Sequence, residues 1–144
     1  MEKLNNTLLY TIDKCFRSYH QFSQKNVKQA GYDITIDQWL ILKSIDENPN
    51  FSQNDIGRIL FKDNASITRM IQLLVKAGYI IRTEHPDDRR RVHLSLTPQG
   101  KTITEEVHQI AVKNRAKALE NVNPEHLKKM KDTLEQIILN CSPQ

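Results

Sequence analysis

The chain has 144 residues, the size of a single domain, and a domain of that size buries enough surface to fold without disulfide or metal staples. Its 21 basic and 17 acidic side chains leave a net charge of +4, which permits an anionic partner without demanding one. Four glycines and five prolines exclude a low-complexity chain, and the longest apolar run, Trp39-Leu40-Ile41-Leu42, falls far short of the roughly 18 residues of a membrane span.

The polar start, Met1-Glu2-Lys3-Leu4-Asn5-Asn6, lacks the apolar core of a signal peptide, and two cysteines, Cys15 and Cys141, are too few for a disulfide framework. These features set the expectation of a soluble cytoplasmic protein with no membrane association. In residues 4–28, Leu4, Leu8, Ile12, Phe16 and Tyr19 step by three or four, with Cys15 beside them, so the spacing predicts a helix with one apolar face, ended by Gly31. Thr35-Ile36-Asp37-Gln38 fits a capping box and opens a helix through Trp39, Leu42 and Ile45 to about Glu47, broken by Asn48-Pro49-Asn50. Ser52-Gln53-Asn54-Asp55 repeats the capping signal and opens a short helix with Ile56, Ile59 and Leu60 facing inward. Phe61-Lys62-Asp63 makes a turn. A longer helix follows from Asp63 or Asn64, with Ile67, Met70, Ile71, Leu74 and Val75 as its apolar stripe and Gly78 as the left-handed residue that stops it.

The period then changes. Residues 79–84 are β-prone, and Val92, Leu94 and Leu96 alternate with His93 and Ser95, so the two stretches pair as a hairpin with a charged, turn-like tip over residues 85–91. Thr97 and Pro98 restart helix as N-cap and first helical residue, and Asn123-Pro124 opens the last helix by the same device. The fold class expected is mainly α, with one small β-hairpin.

A short helix, a three-residue turn and a longer helix make a helix-turn-helix, and the hairpin behind it makes the pattern winged. Removing the apolar stripe from the second helix leaves Asn64, Ser66, Thr68, Arg69, Gln72 and Lys76 as its outer face. These types suit DNA: Arg bonds guanine bidentately, Gln bonds adenine, and Ser and Thr reach phosphates or base edges. Ser52 and Gln53 start the short helix, whose free N–H groups suit a phosphate. Charge is concentrated here, with eight basic and five acidic side chains in residues 52–97 against six and six in 1–51. Arg89, Arg90 and Arg91 form a cluster suited to the negative potential of a narrow minor groove, and a neighbouring Asp could hold one of them by a bidentate pair.

Three stretches carry a resemblance. Residues 34–42 look like the opening of a second helix, 63–71 like a recognition helix, and 88–100, with Asp88-Arg89-Arg90-Arg91, like a wing and its exit. Together they resemble the MarR family of winged helix-turn-helix transcription regulators. The resemblance implies a homodimer in which terminal helices, residues 1–34 and 98–144, pair as the dimerisation region, while 35–97 form the DNA-binding lobe of one domain spanning 1–144. It implies double-stranded DNA with a pseudo-palindromic operator as partner. It also implies Ser66, Thr68 and Arg69 in the major groove, and Arg90 in the minor groove braced by Asp88, with Arg89 or Arg91 on phosphate. The expected function is a repressor released by a small-molecule effector. Tyr10, Tyr19, His20 and Trp39, with Phe16, are candidates for the effector pocket, although core packing is the expectation for Phe16 and Trp39.

Two other readings remain. Some members of this family sense peroxide through a cysteine in the first helix, which makes Cys15 a candidate redox residue, but Ile36 stands where a supporting tyrosine belongs and a buried, inert thiol is expected. A winged-helix protein-interaction module is the other. No catalytic constellation, metal-ligand pairing or cofactor motif is present, so neither an enzyme nor a cofactor is expected.

Overall fold

The helices of the chain begin where side chains can close their first turns. A computed structural model describes residues 1–143, which fall into two compact units, Met1–Asn114 and Arg115–Gln144. A 3₁₀ turn at Leu4–Asn6 is followed by α1 (Leu8–Gln29), α2 (Ile36–Glu47), α3 (Gln53–Leu60) and α4 (Asn64–Lys76). The strands β1 (Ile80–His85) and β2 (Asp88–Leu96) follow, then α5 (Pro98–Ala118) and α6 (Pro124–Cys141). The architecture is mainly helical with a single two-stranded antiparallel sheet, a winged helix-turn-helix.

Both predicted capping boxes form. At α2, the Gln38 N–H donates to Thr35 Oγ1 and the Thr35 N–H donates back to Gln38 Oε1, each at 3.0 Å, which satisfies two orphan donors of the first turn. Gly31 and Gly78, past the ends of α1 and α4, have φ of 92° and 84°, a conformation that glycine adopts without steric cost. The first predicted helix starts later than the apolar spacing suggested. Thr7 is extended and its hydroxyl donates to the Leu4 carbonyl, so the opening residues form a separate turn.

The core of the first unit is built from α1, α2, α3, α4, the sheet and α5. Ile41, Leu42, Ile56, Ile67 and Val107 are fully buried in it, with Ile71, Leu74, Ile80 and Leu94 close to that limit. Burying each such side chain contributes about 1.5–3 kcal/mol relative to exposure. Trp39 sits in this core: its indole N–H donates to the Thr104 carbonyl at 3.1 Å and its ring stacks on His108. Two apolar residues depart from expectation. Ile59, predicted to face inward, is 49% exposed: α3 buries Ile56 and Gly57, and leaves Leu60 half-buried. Phe16, expected in the core, is 64% exposed on α1.

The register pairs Ile80 with Leu96, Arg82 with Leu94 and Glu84 with Val92, so one face of the hairpin carries the buried pair Ile80 and Leu94. The wing is tied down at its base. The Thr97 N–H donates to the Tyr79 carbonyl, and the Thr97 hydroxyl donates to the Gly78 carbonyl. The first turn of α5 then packs so closely on Tyr79 that a Cβ on Gly100 would overlap the Tyr79 carbonyl oxygen.

In the second unit, α6 starts at an Asn123 cap with Pro124 at its first helical position, as the sequence predicted. Among its described residues, Met130, Ile138 and Leu139 are exposed apolar side chains.

Candidate nucleic-acid interface

The start of α3 is occupied by its own carboxylate. The Ser52 N–H and hydroxyl both donate to Asp55 Oδ2 at 2.8 Å, while the Asp55 N–H donates to Ser52 Oγ at 3.2 Å. Arg58 reaches Asp55 Oδ1 at 2.7 Å. Hydrogen bonds from the Ser52 backbone and then from its hydroxyl hold the Asp55 carboxyl below its ordinary range, helped by the charges of Arg58 and Arg91. The Ser52 N–H and hydroxyl are thus spent on Asp55, whose carboxylate lies at the helix start where the expectation placed a phosphate.

The start of α4 is capped by Asp63, whose Oδ1 accepts the Ser66 N–H at 2.7 Å. That backbone bond, followed by the Ser66 side chain, lowers the Asp63 pKa, and the Arg69 charge acts in the same direction. The apolar stripe of Ile67, Ile71 and Leu74 faces the core, which leaves Asn64, Arg69 and Gln72 exposed and Ser66 and Thr68 half-buried on the other side. Gln53, at the first position of α3, bridges to this face. Its Nε2 donates to Asn64 Oδ1 at 3.1 Å and also to Thr68 Oγ1. Sequence spacing gave no signal of this link, because its partners lie 11 and 15 residues away.

The wing differs from the predicted charged turn. Only Pro86 and Asp87 form the turn, and Arg89, Arg90 and Arg91 belong to β2. The register slips there: Glu84 pairs with Val92 but His85 pairs with Asp88, so the three arginines have no partner on β1. Such a slip frees side chains from the alternation of the ladder and re-aims them. Asp88 does not hold Arg90 by a bidentate pair. Its Oδ1 accepts the Arg90 backbone N–H at 2.9 Å, so it shapes the chain at the tip and leaves the guanidinium free. Among the described residues, Arg69, Arg89, Arg90 and Arg91 hold no ion pair, and all four are exposed.

None of the candidate effector residues lines the cleft described below. Trp39 is core, and His20 Nε2 lies 3.4 Å from Asp37, which also holds Lys62 of the helix-turn-helix turn at 3.4 Å. Tyr10 and Tyr19 are half-buried on α1. A cleft of about 420 Å³ lies elsewhere, lined by Lys28, Tyr32, Asp33, Leu73, Ala77 and Tyr79 among others. The nearby Glu106 carboxylate favours the protonated Tyr32 hydroxyl and raises its pKa. Cys15 and Cys141 are free thiols and both are exposed, contrary to the expected burial of Cys15. The nearby Arg17 is spent on Asp13 at 2.9 Å. Among the described residues no group of three or more His, Cys, Asp or Glu side chains is arranged to hold a metal ion, and no helix is long and apolar enough to cross a membrane.

Residues 34–92, from the end of the α1–α2 loop into the wing, match the MarR family model. The HTH-type transcriptional regulator SarZ of Staphylococcus aureus is 32% identical over 82 residues, which spans 57% of this chain and about half, 55%, of that protein. Among solved structures, a mutant MarR from E. coli complexed with operator DNA superposes with a TM-score of 0.82 at 24% identity, covering 90% of this chain and 92% of that one. Bordetella bronchiseptica BpsR, described with regulation of its DNA binding by 6-hydroxynicotinic acid, superposes at 0.87 with 17% identity over 99% of each chain. At these identities the two structures establish the shared fold. Regulators of the MarR family are non-enzymatic. On its fold and its matched segment, the chain is similar to regulators of the MarR family, with the likeness in sequence concentrated in residues 34–92.

Proposed function

We propose that this protein is a dimeric, sequence-specific DNA-binding transcription regulator of the cytoplasm, a repressor released by a small-molecule effector. The observation that carries the reading is the pairing of an exposed polar helix face, Asn64 to Gln72 on α4, with three unpaired arginines outside the hairpin ladder. Guanidinium groups free of protein carboxylates are available for phosphate and for base edges. The superposition on operator-bound MarR supports α4 as the helix that enters the major groove. The second copy of the chain is argued from the exposed leucines and Phe16 on α1 and the exposed apolar residues of α6. These side chains stay more than half exposed within their own units, and a twofold dimer matches a pseudo-palindromic site. The effector reading rests on the cleft beside the C-terminal half of α4, where a bound molecule would touch the recognition helix itself.

A gel shift with the DNA upstream of the protein's own coding sequence tests this. Retardation is expected at low salt, weakening steeply as salt rises because displaced counterions drive binding. Absence of any retardation at low salt by the intact, ligand-free protein overturns it.

A further inference from the structure

The polarity of the hydrogen bonds that join α3 to α4 determines which atoms α4 shows to a partner. Both N–H groups of the Gln53 carboxamide are used, one on Asn64 Oδ1 and one on Thr68 Oγ1. An Asn side chain carries its acceptor and its donors on opposite arms. With Oδ1 turned to α3, Asn64 presents Nδ2 and its two hydrogens outward. A hydroxyl that accepts one bond still has its own hydrogen to give, and the Thr68 hydroxyl donates to no acceptor among the described residues. Arg69, on the same face and free of ion pairs, is a donor only. The Thr68 hydroxyl keeps a lone pair as well as its hydrogen, whereas the outward arm of Asn64 can only donate.

The outward groups of Asn64 and Arg69 on α4 are therefore donors. In the major groove, guanine offers two acceptors, N7 and O6, whereas adenine offers N7 beside the N6 amino group and cytosine offers an amino donor. Bidentate reading of adenine by Asn needs the amide oxygen to accept from N6, and that oxygen faces Gln53.

We propose that Gln53 sets the base preference of the recognition helix, fixing Asn64 as a donor so that the half-site base opposite it is guanine in preference to adenine. This rests on α4 being the major-groove helix. Gln53 acts here as a positioning residue, because it works through the orientation of another side chain.

The test is selection from a DNA pool randomised over one half-site, with base preference read by sequencing the retained DNA for wild type, Gln53→Glu and Gln53→Met. Wild type is expected to retain guanine over adenine by about tenfold at one half-site position. Replacing that guanine by 7-deazaguanine, which lacks the N7 acceptor, is expected to weaken binding by a similar factor. A glutamate at position 53 has no donor, accepts from Asn64 Nδ2 and Thr68 Oγ1, and turns Asn64 Oδ1 outward, so the preference at that position is expected to reverse to adenine. A methionine holds neither orientation, and the preference is expected to collapse towards parity. If Gln53→Glu binds no DNA because of its charge, the methionine variant decides. A guanine preference undiminished in Gln53→Met, or retained in Gln53→Glu, overturns the proposal while leaving DNA binding intact. If wild type retains no DNA at all at low salt, the DNA-binding reading falls and this inference falls with it.

Discussion

Gly100 and Asp63 show two ways in which one residue controls the lobe. Gly100 lies where the first turn of α5 meets the backbone of Tyr79, and a methyl group there has no room. Gly100→Ala is expected to destabilise the protein by about 3 kcal/mol through overpacking against immovable backbone, measured by urea denaturation. Asp63 acts instead through charge and hydrogen bonding at the start of α4. Its pKa, like that of Asp55, lies below the ordinary 3.8 in the folded state. A carboxylate with a depressed folded pKa binds fewer protons than the unfolded chain, so its stabilisation is present above 3.8 and is lost as the pH falls below it. Thermal melts of Asp63→Ala are expected to show a melting temperature a few degrees lower than wild type at neutral pH, and a difference that narrows in acid. A constant difference down to pH 2, or one that widens, contradicts the assignment. The capping boxes at Thr35 and Ser52 were visible in the sequence as a polar residue followed three positions later by its partner, a local signal, whereas Asp63 was legible only as a place where a helix starts. Gly100 gave no comparable sign, because what makes it obligatory is Tyr79, on the far side of the hairpin.

At the level of elements, helices were read more accurately than the wing. A helix is set by neighbours three and four residues apart, so α2, α4 and the starts of α5 and α6 followed from spacing and caps. The position of the arginines depended on which residue of β1 faces which residue of β2, and the slip between Glu84 and His85 is a cross-strand property. The bond from Asp88 to the Arg90 backbone likewise replaced an expected side-chain pair because a local Asx-type contact is within easier reach than a guanidinium extended into solvent. The site residues on α4 were legible because removing an apolar stripe leaves a face, whereas the Gln53 bridge was not, because it joins two helices. The two elements are expected to contribute differently to binding. Arg90→Ala should weaken binding to all sequences alike and reduce the salt slope by about 1, while Arg69→Ala should also relax base preference, by about 1–3 kcal/mol. Titrations at several salt concentrations, on matched and mismatched sites, separate the two.

For the whole molecule, the uneven charge and the exposed apolar faces belong together. The first third of the chain is neutral and carries Leu8, Leu9 and Phe16 exposed, while the excess of positive charge lies in residues 52–97. In a dimer the apolar faces would be covered and the basic lobe would be presented twice. Sedimentation is expected to give about twice the 16.8 kDa of one chain, and Phe16→Asp, at a side chain that buries little within its own unit, is expected to return a folded monomer. A wild-type monomer at micromolar concentration contradicts the dimer. The unpaired stretch of β2 has one further consequence. A protease must draw a segment of chain into its own active site in extended form, and backbone already bonded to a neighbouring strand resists this. Residues 89–91 are exposed, lie outside the ladder and are three arginines in succession, so the wing is where trypsin should make its first internal cut. The residues that would grip DNA are thus also those whose cleavage reports whether DNA is there, and operator DNA should slow that cut more than any other.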